Sequence, residues 1–265
     1  MKVYLSADIE GITGTTHWDE TEKKHPDYAE FQRQMTAEVS AACESSIQAG
    51  ADEILVKDAH DSARNILAAQ LPTQTRLLRG WSGHPNQMMD GVDSSFQAAL
   101  LVGYHSRAGS SASPLAHTMT GSDVYVKIND RYASEFLLNT YTAALVNVPV
   151  VFVSGDAGLC EEASGLIPAI TTVAVKQGSG DSTNNLHPQL AIDKIRAGVA
   201  RALAGDLARC RISLPESFSV EIRYKNHTKA YANSFFPGAF LKDPFAIGFE
   251  THDYFEVLRL LAFVL

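Results

Sequence analysis

The chain alternates between short apolar runs and longer segments in which apolar residues recur every three or four positions. Val3 to Ala7 predicts a first strand, and a polar, turn-rich stretch follows it. From Tyr28 to Gln48 apolar side chains recur at four-residue steps, which places them on one face of a helix, and Gly50 is suited to end it. Glu53 to Val56 predicts the next strand. The order strand, helix, strand indicates a parallel βαβ unit.

Similar patterns continue along the rest of the chain. Further strands are predicted at 98–102, 124–128, 148–153, 170–175 and 218–224, with another inside 239–249. Further helices are predicted at 134–146 with Ser134 as N-cap, at 155–165, along a stripe from 192 to 203, and from 254 onward. We therefore predict an α/β fold, with an open, mostly parallel sheet flanked by helices and a smaller α+β C-terminal portion.

The change of character after Pro215 suggests a boundary between residues 210 and 217. It separates an α/β part, residues 1–212, which holds all the candidate site residues below, from an α+β part, residues 213–265. The length of 265 residues suits one large domain or one domain with a smaller appendage, so the two parts are compatible with a single domain.

Composition narrows the classes of function. A formal net charge of -8 without a cluster of Lys or Arg argues against a nucleic-acid partner. The chain shows neither a signal-peptide core nor a run of about 20 apolar residues, so no membrane association is expected. Cys43, Cys160 and Cys210 form no CxxC motif and suit a reducing compartment, which predicts a cytoplasmic location.

The stretch SADIEGITG, which includes the end of the first strand, carries two acids that point to chemistry. Asp8 and Glu10 lie two positions apart, so a strand end places both carboxylates on one face. Adjacent anions repel each other and cost desolvation, and a metal, a cationic partner or water must compensate them. Such a pair taken alone is more often a solvated strand end.

Other metal-capable side chains follow other predicted strands, where ligands of open α/β sheets bind. They are Asp58 and His60 in ILVKDAHDS, His105 in ALLVGYHSR, His117 in AHTMTGSD and Glu135 in the helix after INDR. Each alone has an ordinary structural explanation. His60 suits a salt-bridged turn, His105 a hydrogen-bonded core histidine and Glu135 the first turn of a helix. It is the position of all of them after strand ends that indicates a common functional site.

Three kinds of chemistry compete for these residues. A haloacid-dehalogenase-like phosphatase would use Asp8 in a DxDGT-like loop, but it leaves the histidines without a role. A phosphate cradle at GITG lacks GxGxxG and the P-loop lysine and is rejected. Two histidines and three carboxylates suit two zinc ions that share a carboxylate. Two such ions can hold a bridging hydroxide and polarise a peptide carbonyl, which leaves His117 for proton transfer or oxyanion stabilisation.

The motifs, taken in order, resemble those of one enzyme family. SADIEGITG, VKDAHDS, LVGYHSRAG, AHTM, INDR with Ser134 and Glu135, VFVSGD and AVKQ together resemble peptidase family M55, the D-aminopeptidases. The resemblance implies an enzyme that removes N-terminal D-amino acids from short peptides with two Zn²⁺ ions per subunit. It implies a catalytic role for His117 and metal ligation by Asp8, Glu10, His60, His105 and Glu135. It also implies a ring-like homo-oligomer, a decamer in the best-known case, with active sites facing an internal channel.

The resemblance has departures. Ala116 and Thr118 beside His117, the helix SEFLLNTY and residues 178–187 differ from the family pattern. None of these removes a ligand, so they bear on substrate preference. Two other functions stay open on the sequence: a metal-dependent amidase acting on another small amide such as a muropeptide, and a non-catalytic peptide-binding or transport-associated protein with the same fold.

Overall fold

The computed structural model describes residues 1–265, which form twelve strands and six α-helices. The strands are β1 (Lys2–Ala7), β2 (Glu53–Asp58), β3 (Thr75–Leu78), β4 (Ala98–Tyr104), β5 (Asp123–Ile128), β6 (Arg131–Tyr132), β7 (Val150–Asp156), β8 (Thr171–Ser179), β9 (Ser182–Asn185), β10 (Phe218–Tyr224), β11 (Ala239–Asp243) and β12 (Ala246–Thr251). The helices are α1 (Tyr28–Gln48), α2 (Glu135–Leu145), α3 (Ala157–Leu166), α4 (Pro188–Ala204), α5 (His227–Asn233) and α6 (Tyr254–Val264).

Seven strands form one sheet in the order β3-β2-β1-β4-β7-β8-β9. All neighbours in it run parallel except β8 and β9, which form an antiparallel hairpin. Every residue of β4 and β7 is buried, as expected for parallel strands covered on both faces. The predicted open, mostly parallel sheet is therefore confirmed, and it carries a core of 45 buried residues.

The helices follow from the apolar stripes and caps that predict them. α1 has the predicted bounds and buries Met35, Val39 and Cys43 completely. Gly50 follows its last turn with a φ of 93°, a conformation that favours glycine. Ser134 caps α2, because its side chain accepts a hydrogen bond from the Leu137 N–H. None of the helices combines the length and the apolar composition needed to cross a bilayer.

The other five strands form an antiparallel sheet in the order β11-β12-β10-β5-β6. Together with α6 and part of α2 it encloses a second core of 18 buried residues. Its strands β5 and β6 precede residue 212, so this sheet joins segments from both sides of the predicted boundary. The division of the chain at residue 212 stays a prediction.

Gly11 and Gly103 allow the segment that follows β1 to contact the end of β4 closely. A Cβ on Gly11 would lie 1.7 Å from the Tyr104 carbonyl oxygen, and one on Gly103 would lie 2.2 Å from the Asp8 carbonyl oxygen. Any side chain at either position would clash with backbone. The Gly11 N–H donates to the Gly103 carbonyl at 2.8 Å. This close approach sets the residues after β1 beside those after β4.

Candidate metal centre

The six candidate residues meet at the carboxyl edge of the parallel sheet. Asp8 and Glu10 follow β1, His60 follows β2 and His105 follows β4. His117 lies in the loop between β4 and β5, and Glu135 opens α2, where the Ser134 cap fixes its position. Five of the six are buried, and His117 is half-buried. The structure therefore brings together every predicted site residue.

The Asp8 carboxylate lies between two imidazoles. Its Oδ1 is 3.3 Å from His60 Nδ1, and its Oδ2 is 3.4 Å from His105 Nε2. Glu10 Oε2 lies 3.0 Å from the same His60 nitrogen. Glu135 Oε2 lies 3.3 Å from the same His105 nitrogen. The arrangement is two imidazole–carboxylate groups that share Asp8.

Each imidazole is oriented by a hydrogen bond from its other ring nitrogen to a backbone carbonyl. The pairs are His60 Nε2 with Thr21, His105 Nδ1 with Ser106 and His117 Nδ1 with Leu115, each at 2.9 Å. Because a carbonyl oxygen only accepts, these nitrogens carry the proton. In the neutral imidazole the remaining nitrogen then presents a lone pair, as in metal-binding histidines.

Three buried atoms of this cluster have no hydrogen-bond partner: Glu10 Oε2, His105 Nε2 and Glu135 Oε2. Lone pairs that face one another in a buried site repel unless a proton or a cation lies between them. The possible ligand atoms of Asp8, Glu10 and His105 lie within 4.8 Å of one another, and so do those of His105, His117 and Glu135. Mixed imidazole and carboxylate donors at this spacing fit zinc.

The pKa shifts of the residues in the cluster also indicate that it favours positive charge. Burial opposes protonation of His60 and His105, yet the charges of Glu10 and Glu135 raise the pKa of each imidazole well above its ordinary value. Burial favours a neutral Glu135, but the His105 charge lowers the pKa of that carboxyl to about 2. Burial and the Glu10 charge raise the pKa of Asp8 to about 6. The cluster attracts protons or, in their place, metal ions.

Five of the six candidate residues, all except His105, line an open cleft of about 630 Å³. This volume is in the range of sites for small ligands. Trp18, Trp81 and Met119 contribute apolar surface to its walls, and Glu22 and Asp61 contribute carboxylates. The candidate residues are therefore accessible from solvent through this cleft.

The whole chain is similar to known peptidases. A family model described as Peptidase_M55, D-aminopeptidase, matches residues 1–263. The chain belongs to peptidase family M55. A D-aminopeptidase of Bacillus subtilis (strain 168) is 31% identical over 263 residues, which cover 98% of this chain and 95% of that protein. The solved structure of the Zn-dependent D-aminopeptidase DppA from Bacillus subtilis, a self-compartmentalizing protease, matches with a TM-score of 0.94 at 30% identity over 100% of this chain and 96% of that one.

The predictions of the M55 family and of a peptidase are thereby confirmed.

Asp58, also metal-capable by residue type, does not face the cluster of this M55 chain. Its carboxylate accepts hydrogen bonds from the backbone N–H groups of Asn65 and Ile66 and from the Asn65 side chain. Asp58 therefore shapes the loop that follows His60.

Asp156 at the end of β7 fixes the segment that follows His105. Its carboxylate accepts hydrogen bonds from the Ser106 N–H at 2.7 Å and from Ser106 Oγ at 2.5 Å, and it caps α3 through the Leu159 N–H at 2.9 Å. The Ser106 carbonyl in turn accepts the His105 Nδ1 proton. Asp156 thus orients the His105 imidazole through Ser106.

Two buried residues of the M55 chain hold the loop that carries Glu10. Lys176 donates to the carbonyls of Glu10 and Thr15, and Glu38 accepts from the Thr13 N–H at 3.0 Å. Burial lowers the pKa of Lys176 to about 8 and raises that of Glu38 to about 7. Sequence reasoning missed these supports. The motifs VFVSGD and AVKQ contain Asp156 and Lys176, but no spacing in the chain indicates what they contact.

Proposed function

We propose that this M55 peptidase is a zinc-dependent aminopeptidase that hydrolyses N-terminal D-amino acids from short peptides, with two Zn²⁺ ions per subunit. The observation that carries the proposal is the pair of imidazole–carboxylate groups joined by Asp8. The Bacillus subtilis relatives are described as a D-aminopeptidase and as Zn-dependent, which supports the stereochemistry and the metal.

We assign the ligands to two sets that share the Asp8 carboxylate. His60, Glu10 and Asp8 would hold one ion, and His105, Glu135 and Asp8 would hold the other. Both sets contain the neutral imidazole nitrogen and carboxylate oxygens that zinc prefers. Bound zinc ions supply a water activated near neutral pH and polarise the scissile carbonyl.

His117 is assigned to catalysis rather than to ligation. His60 and His105 each approach two carboxylates, whereas His117 Nε2 approaches only Glu135 Oε1, at 3.6 Å. The imidazole of His117 lines the cleft and stacks on that of His105 with ring centroids 4.3 Å apart. From this position His117 Nε2, whose lone pair is free because Nδ1 carries the proton, accepts a proton from the attacking water. The resulting imidazolium gives that proton to the leaving amine or stabilises negative charge on the carbonyl oxygen.

The proposal includes assembly into a ring-like homo-oligomer, with a decamer as the expected size. The relative of known structure is described as self-compartmentalizing. This chain exposes aromatic side chains on and after α5 and at the end of α6, with Tyr231 61%, Phe235 71% and Phe263 75% exposed. Exposed apolar patches of this kind are typical of protein interfaces. Light scattering on the purified chain measures the number of subunits, and a monomer would contradict the assembly.

The test of the function is hydrolysis of D-Ala amide and D-Ala-D-Ala by the purified protein before and after chelation. We expect hydrolysis that chelator abolishes and zinc restores, with the L-isomers cleaved far more slowly. Equal cleavage of the L-isomers would overturn the stereochemical part. Activity confined to other small amides, such as muropeptides, would replace the substrate class and leave the metal chemistry in place.

A further inference from the structure

The chain contains two tryptophans, Trp18 and Trp81, and both line the cleft above the candidate metal centre. The two residues belong to separate loops. Trp18 is 38% exposed and Trp81 is 44% exposed. Large aromatic side chains are usually buried for most of their surface. Exposed indoles inside a polar cleft indicate contact with a ligand.

The Trp81 indole is held in place by two contacts. Lys57, which is fully buried, lies with its Nζ 4.2 Å from the ring centroid and donates to the Gly80 carbonyl. The indole Nε1–H donates to the Asp61 carbonyl at 2.7 Å, beside His60. Lys57 therefore covers one face of the indole, and the exposed part lies toward the cleft. A fixed aromatic surface binds a side chain at a low entropic cost.

Trp18 is held in a different way and stands next to His117. It opens a short 3₁₀ turn, Trp18–Glu20, in which the His17 side chain accepts from the Asp19 N–H and Glu20 accepts from the His17 N–H. The indole lies edge-on to the His117 imidazole, with ring centroids 5.2 Å apart and planes at 66°. Trp18 therefore borders the space where the leaving amine departs under the proposed function.

Charge decides which kind of side chain fits these walls. The Lys57 cation draws the electron density of the Trp81 ring toward its covered face, which makes the open face a poor site for a second cation. Apolar and aromatic groups still stack there. The carboxylates of Glu22, Asp61 and Asp90 also line the cleft, and no Lys or Arg does, so an acidic side chain is disfavoured as well.

We propose that Trp18 and Trp81 form an apolar subsite that selects substrates with bulky apolar or aromatic side chains on either side of the scissile bond. The inference rests on the proposed aminopeptidase function and deepens it. Trp81, beside His60 and Asp61, contacts the side chain of the N-terminal residue. Trp18, beside His117, contacts the side chain of the residue that follows. The enzyme then prefers D-Phe or D-Leu over D-Ala as the N-terminal residue.

The first test compares kcat/KM for D-Phe amide and D-Ala amide, and for D-Ala-Phe and D-Ala-Gly. We expect Trp81→Ala to reduce the preference for D-Phe amide by about tenfold and to leave the second ratio unchanged, because both the stacking contact and the apolar area buried against the indole are lost. Trp18→Ala should do the reverse, and the Phe variants should retain most of each preference. Ratios are unaffected by a uniform loss of turnover. Leu190→Ala, an exposed apolar residue of α4, serves as the control that changes neither ratio.

The second test measures binding without hydrolysis. With only two tryptophans in the chain, Trp18→Phe leaves Trp81 as the sole indole emitter, and Trp81→Phe leaves Trp18. We expect free D-Phe to change the emission of Trp81 at lower concentrations than D-Ala does. Equal response to both amino acids, or equal substrate ratios in all variants that hydrolyse D-Ala amide, would refute the subsite and leave the aminopeptidase intact. Failure of every amide to react, with D-Phe still bound preferentially, would refute the activity and leave the subsite.

Discussion

The two sheets of this M55 peptidase place charged side chains in opposite environments, one exposed to solvent and the other buried. In the antiparallel sheet, Glu221 pairs with Lys242 and Arg223 with Asp243, and all four side chains are partly exposed. At the carboxyl edge of the parallel sheet, Asp8 is buried, and its two oxygens face the imidazoles of two histidines. Exposed ion pairs contribute about 0–1 kcal/mol, whereas a buried charge without its partner costs several kcal/mol. The carboxyl edge of the parallel sheet therefore needs positive charge, from protonated imidazoles or from bound cations, whereas the antiparallel sheet pairs its own charges.

The largest effect is expected from Asp8→Ala. The substitution removes one oxygen from each proposed ligand set, so the variant should lose zinc and hydrolyse D-Ala amide at the background rate. Elemental analysis of the purified protein measures the zinc content. Asp61→Asn is the matched control, because it removes an exposed cleft carboxylate beside His60 and tolerates the left-handed backbone, φ 43°, at that position. A full complement of zinc in Asp8→Ala would rule out its ligand role.

His117→Ala separates proton transfer from metal binding. We expect this variant to keep its zinc and to lose about 10²–10⁴-fold in kcat, the range of general acid–base catalysis. His252→Ala, which changes an exposed histidine outside the cleft, should leave kcat close to that of the parent. Loss of zinc from His117→Ala would make His117 a ligand, in line with its distance of 3.6 Å from Glu135 Oε1.

Asp156→Asn tests whether a residue outside the ligand set positions a ligand. The amide retains one acceptor but loses part of the bonding to Ser106, whose carbonyl orients His105. We expect zinc affinity to fall by about 10–100-fold, measured by competition with a chromogenic chelator. A lower melting temperature with unchanged affinity would mean that Asp156 supports only the fold.

A smaller effect concerns Glu38, which is buried behind the loop that carries Glu10. Burial raises the pKa of its carboxyl from an ordinary 4.5 to about 7. The stability associated with the neutral carboxyl is complete below the unfolded pKa and is lost as the pH rises through about 7. Between pH 5 and pH 8 the free energy of unfolding of the parent should therefore fall by about 1–3 kcal/mol more than that of Glu38→Gln. Urea unfolding of the chelator-treated proteins measures it, and identical declines would contradict the prediction.

The smallest effect is expected on the antiparallel side. Lys242→Ala breaks the ion pair between Lys242 and Glu221, and both side chains of this pair are in contact with solvent. The free energy of unfolding should change by no more than about 1 kcal/mol, and zinc content should not change. A loss of several kcal/mol in urea unfolding would show that the exposed ion pairs of the antiparallel sheet contribute as much to stability as buried charges do.

Much of the site follows from local sequence. Apolar periodicity predicts α1 with its bounds, and polar residues after β1, β2 and β4 are brought together because parallel strands end at one edge. The membership of β5 in the antiparallel sheet could not be predicted, because a strand's partners lie far away in the chain. The same holds for Lys176, which reaches the Glu10 carbonyl across 166 positions. Trp81 likewise depends on Lys57, which spacing does not connect to it.

Under the proposed function, Asp8, Glu10, His60, His105 and Glu135 would hold two zinc ions at the carboxyl edge of the parallel sheet. X-ray diffraction from crystals of the zinc-loaded, active protein, collected above and below the zinc absorption edge, tests this most directly. We expect two anomalous peaks, one next to His60 Nδ1 and Glu10 and the other next to His105 Nε2 and Glu135, with Asp8 adjacent to both. A single peak, or peaks away from Asp8 in crystals of active protein, would contradict it.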